Sequence, residues 1–348
     1  MLNFTLPNPK LRSSKNHLGN SPLILLLIAS VLLVIFFSLR SQKPQESLSR
    51  KLSPTITQPR EAAQQFTCIT GVAVPKEQAV ANNSAQIRQG LKAIKDQLGI
   101  TIIWQLFKSN STESDWLEYF KIAKQEGVQI LAAVTDADSY APKCENDTCD
   151  LDIMGKFLES VKNNPDIYAN ALYGFLLIDE PWEDPITASG LRSLYSQAKA
   201  ITPQVPLVVG WSRELWRFGN KPGREFSDGM CDICLISALE HRSGQLNEDT
   251  LRANQETSRR IIAAADPDAQ IMSSVPVFGS TNSKAGYSVP SPDELEHIVD
   301  LLLNDSTLNS AAKLDGLLWQ SWVAPTLNKT SGQQNLSDPP FAFQRQIA

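Results

Sequence analysis

Histidine is nearly missing from this chain. Three occur among 348 residues, His17, His241 and His297, and they share no metal-ligand spacing. No HExxH and no Cys/His cluster is present, so no metal site is expected. No G-x-G-x-x-G or G-x-x-x-x-G-K-[ST] occurs either, which removes the usual glycine-rich nucleotide cradles, and nothing calls for an organic cofactor. Long blocks of one charge are absent, and the formal net charge is only -5. A nucleic-acid partner therefore has no electrostatic basis in the sequence.

Apolar residues make up 42% of the chain, enough for a substantial core. One uninterrupted stretch differs from the rest. Leu23 to Leu39 is apolar apart from Ser30 and Ser38, and its seventeen residues are at the short end of what spans a bilayer. Basic residues flank it on both sides, Lys10, Arg12 and Lys15 before it and Arg40 and Lys43 after it. No clear small-residue cleavage site follows. The expected layout is a cytoplasmic tail over 1–21, an uncleaved transmembrane signal-anchor over 22–40, and a polar, proline-containing stalk over 41–64. The main domain, 65–326, would then be extracytoplasmic, periplasmic or extracellular, ahead of a loose polar tail over 327–348.

Five cysteines fit export. Cys144 and Cys149 close a short loop in a segment without apolar periodicity, which predicts a local disulfide in an oxidising compartment. Cys231 and Cys234 form a C-x-x-C that leads into an apolar strand-like run. That placement favours a structural disulfide or buried thiols over redox catalysis.

Within 65–326, short β-rich runs alternate with amphipathic helical patterns. The runs are 66–74, 100–107, 128–135, 171–178, 206–211, 232–239, 270–278 and 314–322. Helical patterns over 84–98, 114–126, 152–162, 188–201, 248–265 and 291–303 lie between them. Eight strands wrapped by helices predict an α/β fold, a (β/α)₈ TIM barrel, with a doubly wound open sheet as the rival architecture. Reactive groups in such a barrel lie at the C-terminal ends of its strands. Those ends carry Asp136; Asp179, Glu180 and Trp182; Trp211 and Arg213; Glu240 and His241; and Trp319 and Trp322. Carboxylates beside flat aromatic rings suit a sugar, whose hydroxyls and C–H faces they complement. Two carboxylates are what glycosidic cleavage requires. Glu180 is the leading acid, delivered to the barrel mouth by an apolar run. Glu240, Asp179 and Asp136 are its candidate partners. Trp182, Trp211, Arg213, His241, Trp319 and Trp322 are candidate substrate contacts.

The run Tyr173-Gly-Phe-Leu-Leu-Ile-Asp-Glu-Pro181 resembles the fourth strand of clan A glycoside hydrolases. Gly316-Leu-Leu-Trp-Gln-Ser-Trp322 resembles their eighth. The resemblance implies Glu180 as acid/base and Trp319 or Trp322 as a sugar platform. Two departures stand out. Asp179 occupies a position where that clan has Asn, and the strand over Gln270 to Ser280 ends without the Glu that serves as nucleophile. The Asp-Glu ending also looks like that of spherulin-type galactosaminidase barrels. A chitinase-like mechanism would need alternating Asp residues before the Glu, where Leu176 and Ile178 stand. The expected function is hydrolysis of an extracytoplasmic glycan by carboxylate acid/base chemistry. The alternative is a catalytically inactive carbohydrate-binding barrel in envelope or polysaccharide assembly.

Overall fold

The computed structural model describes residues 68–70, 80–108, 110–135, 143–145, 148–181, 186–211, 215, 222–237, 241–242, 245–276, 278–280, 290–320 and 333–335. All of them belong to one compact unit, Thr57–Ala348. Among the described residues no helix is long and apolar enough to cross a membrane. The apolar segment within 22–40 lies outside the described residues, as do the tail before it and the stalk after it.

Eight strands form one sheet in chain order: β1 (Cys68–Thr70), β2 (Ile102–Lys108), β3 (Gln129–Thr135), β6 (Leu172–Asp179), β7 (Leu207–Trp211), β8 (Ile233–Ile236), β11 (Gln270–Pro276) and β13 (Gly316–Gln320). Every hydrogen-bonded neighbour pair is parallel. The two ends of the series, β1 and β13, lie side by side. Parallel neighbours need long crossovers, and helices supply them. These are α1 (Val80–Leu98), α2 (Glu113–Glu126), α3 (Asp152–Asn163) with the short α4 (Pro165–Tyr168), α5 (Ala188–Ile201), α6 (Glu248–Ala265), and α7 (Pro292–Asn304) with α8 (Ser306–Ala311). All eight strand-like runs of the sequence became strands of this sheet.

Helix boundaries follow local chemistry. Thr112 caps α2 in a reciprocal box with Asp115, and Gly127 ends the helix in the left-handed conformation. Ser291 caps α7 in the same way with Glu294, and Pro292 sits in the first turn.

The alternation of strand side chains splits the core into two layers. Ile102, Trp104, Leu131, Ala133, Leu176, Val208, Ile233, Leu235, Met272 and Leu318 pack together on the inner face of the sheet. Their neighbours along the strands, among them Ile103, Phe107, Ile130, Val209, Cys234, Ile271 and Leu317, pack outward under the helices. A polar tie crosses this outer layer. Arg259 is fully buried, and its guanidinium donates to Leu302 O (2.9 Å), Ala312 O (3.3 Å) and Gln255 Oε1 (3.2 Å). It joins α6 to the last turn of α7 and the end of α8. Burial pulls its pKa down to about 10, so it stays charged at neutral pH.

Three small ladders lie outside the main sheet: β4 (Lys143–Glu145) with β5 (Thr148–Asp150), β9 (His241–Arg242) with β10 (Gln245–Leu246), and β12 (Phe278–Ser280) with β14 (Gln333–Asn335). Residues 333–335 return to pair antiparallel with the segment that follows β11.

Candidate active site

Strand β6 ends at Asp179, and Glu180 follows at once. Its partner strand is β7. Here the ladder register shifts between Leu176 and Ile178, so one extra residue is accommodated in β6. That bulge decides which way the acids face. Phe175 and Leu177 both point outward into the helix layer, and strict alternation would send Asp179 the same way. The extra residue resets the count. Asp179 instead pairs with Gly210, whose neighbours Val209 and Trp211 are outward and whose second neighbour Val208 is inward. Asp179 therefore belongs to the inner face, above Leu176 and Val208.

The carboxyl of Asp179 occupies the space where a side chain at position 210 would begin. A Cβ built on Gly210 would lie 2.1 Å from Asp179 Oδ1 and 3.1 Å from its Cγ. Among the described residues no cation and no side-chain donor contacts this carboxyl. Only the backbone N–H of Glu180 supports its charged form. Burial and the neighbouring Glu180 carboxylate raise its pKa to about 6, with burial the larger cause.

Glu180 itself has φ of +51°, unusual for a residue with a side chain. Its N–H donates to Gly210 O at 2.9 Å, which holds this turn against β7. Pro181, the next residue, is buried. The result is two adjacent carboxyls at the C-terminal end of the fourth sheet strand. One is seated inside the sheet, and the other stands on a strained turn at its rim. A pair of carboxyls whose environments differ can divide acid and base roles between them.

The other expected residues fall into three groups. Asp136, Trp182, Arg213, Glu240 and Trp322 lie outside the described residues. His241 is in β9, paired across the ladder with Leu246. Trp211 and Trp319 are corrections. Both belong to the outward, sheet–helix layer, at 1% and 3% exposure, so neither indole offers a face to a ligand. Trp211 instead packs edge-on against Phe226, with ring centroids 5.7 Å apart. Strand-end position placed these residues at the right height, but period-two parity turned them away from the mouth.

Cys149 is buried and disulfide-bonded, with Cys144 directly opposite it across the β4–β5 ladder. Cys231 and Cys234 are joined in a disulfide and buried at the N-terminal end of β8, the opposite end of the strand from the acids. The C-x-x-C is thus a structural link. Three residues toward the C-terminal ends of the strands were missed. Gly210 had a signal, since a glycine inside an apolar strand marks close approach. Ser237 and Ser274, whose hydroxyls lie 3.5 Å apart after β8 and on β11, had none.

No protein-family model matches the sequence, and no curated protein matches it. Solved structures do. The catalytic domain of a hyperthermophilic chitinase from Pyrococcus furiosus superposes with a TM-score of 0.50 at 13% identity, covering 82% of this chain and 94% of that one. A GH5_18 protein from Bifidobacterium longum subsp. longum gives 0.49 at 15% identity, over 81% of this chain and 74% of that one. The GH53 catalytic domain of Ignisphaera aggregans gives 0.49 at 12% identity, over 83% and 98%. The likeness is one of fold. The matched structures are TIM-barrel glycoside hydrolases, and this chain shares their α/β arrangement. It does not share the alternating acids of a chitinase-type strand four: Leu176 is buried in the inner core and Ile178 in the outer one.

Proposed function

We propose that this protein is a membrane-anchored glycoside hydrolase, a complete (β/α)₈ barrel that cleaves an extracytoplasmic glycan by carboxylate acid/base catalysis. The observation that carries the reading is the Asp179–Glu180 pair at the C-terminal end of the fourth strand, where this type of fold assembles its chemistry. Fold likeness to glycoside hydrolases supports the reaction class. It does not choose the sugar or the linkage.

In this reading Glu180 protonates the leaving glycosidic oxygen. A second carboxylate attacks the sugar or activates water, and it comes from Asp179, Glu240 or Asp136. Asp179 ionises only near pH 6, so the charge beside Glu180 changes in the range where a general acid works. The anchor is supported by the apolar run Leu23 to Leu39. The oxidising compartment is supported by the Cys231–Cys234 disulfide and by the bonded Cys149.

The test is turnover of a panel of aryl glycosides and oligosaccharides by the full chain in detergent. Glu180→Gln should lower turnover by roughly a thousandfold, within the range general acid catalysis contributes, with the thermal midpoint held. Glu240→Gln, compared in parallel, reports whether that residue is the partner. Unchanged turnover in both variants would sink this site. Retained oligosaccharide binding with no product from the wild type would point to the binding-only barrel instead.

A further inference from the structure

We propose that Gly210 is a positioning residue for the acid pair: its missing side chain is the seat of the Asp179 carboxyl, and its carbonyl fixes the turn that carries Glu180. The proposal deepens the glycosidase reading and rests on it for the word "acid", but the seat can be tested without any substrate.

Glycines in this chain have two different reasons to be there. Gly99, Gly127, Gly223 and Gly229 have positive φ, a conformation only glycine adopts freely. Gly210 is not among them. Its backbone is ordinary strand, so conformation does not demand a glycine there. Space does. Asp179 Oδ1 lies 2.1 Å from where a Cβ would be, and Asp179 Cα lies 3.4 Å away. The conflict is therefore with the carboxyl and not with the main chain. The carboxyl has little room to give way, because the ladder pairs Asp179 with Gly210 and the bulge fixes its facing. Meanwhile Gly210 O accepts the Glu180 N–H at 2.9 Å. One residue thus contacts both acids, through an absent side chain on one and a carbonyl on the other. Gly174, the glycine of β6, faces backbone instead, with Pro206 O at 3.0 Å from its virtual Cβ. Filling that position would clash with main chain, so it offers no equivalent seat.

The experiment is a double-mutant cycle on the full chain with Gly210→Ala, Asp179→Ala and the pair, read by thermal midpoint and by kcat and KM on whichever glycan the wild type turns over. Gly210→Ala alone should lower the thermal midpoint by several degrees. It should also lower kcat about a hundredfold with KM within about threefold, the scale set by a displaced reacting group. In the Asp179→Ala background the same substitution should change the midpoint by less than about 2 °C and kcat by less than about twofold, because the atom it collides with is gone. If Gly210→Ala alone fails to fold, recovery of folding in the double variant is the expected result. Equal losses in both backgrounds, or a double variant that also fails to fold, overturn the proposal and leave Gly210 a packing glycine. If the wild type cleaves no glycan, the glycosidase reading fails by itself, and the thermal cycle still decides whether Gly210 seats Asp179.

Discussion

Asp232 and Asp179 stand at opposite ends of neighbouring parts of the same sheet. Asp232, just before β8, accepts the Tyr195 hydroxyl at 2.8 Å and the Leu207 N–H at 2.7 Å, and it pairs with Lys199 Nζ at 2.6 Å. Asp315 repeats the device before β13, accepting the Ile271 N–H at 2.8 Å. Asp179, at the far end of β6, has none of this support. Its one described donor is the next residue's N–H, and its pKa rises to about 6. At the N-terminal ends, carboxylates close off strand starts and hold helices to the sheet. At the C-terminal end, the half-buried Asp179 carboxyl has no comparable support among the described residues. Poorly compensated burial of a carboxyl costs stability.

Three substitutions sharpen that contrast, in order of expected size. Asp232→Ala removes an acceptor shared by an ammonium, a phenol and a backbone amide. It should cost about 3 kcal/mol in a urea titration and leave kcat of the folded protein unchanged. A loss below about 1 kcal/mol would mean that the N-terminal carboxylates are not the stabilisers they look.

Asp179→Asn should do the reverse. The ordinary pKa of this group is 3.8 and its folded value is about 6. Between those values the unfolded chain releases the proton while the folded chain keeps it. Stability contributed by this group is thus full below about pH 4 and falls as pH rises to about 6. Asn cannot ionise, so the variant should be about 2–3 kcal/mol more stable than wild type at pH 7.5 and equal to it at pH 4. Parallel stability curves across that window would show that Asp179 is not buried against its charge.

The smallest effect belongs to the helix surface. Arg260 and Glu256 pair along α6 at 64% and 31% exposure. Arg260→Ala should shift stability by less than about 0.5 kcal/mol, a difference that disappears in high salt.

Much of this architecture was legible in the sequence. Strands buried on both faces read as apolar runs, and all eight were visible for that reason. Three things were not. The bulge in β6 leaves no trace in composition, yet it alone turns Asp179 inward. Parity along β7 and β13 decides that Trp211 and Trp319 pack under helices, and a strand-end rule contains no parity. Ladders of two or three residues, such as β9–β10 and β12–β14, have no periodicity to detect. Of the candidate acids, Asp179 and Glu180 came together as adjacent residues must, and the structure added the seat on Gly210 that the string of letters only hinted at.

The adjacency of β1 and β13 has a consequence for how the chain is made. These strands are nearly the whole domain apart in sequence, yet they stand side by side in the fold. While the polypeptide emerges from the ribosome, β1 can pair with β2 at once, but its other edge waits until β13 has been synthesised. That open edge is a template for pairing with another chain. Its three-residue length, Cys68–Thr70, keeps the exposed template short during the interval.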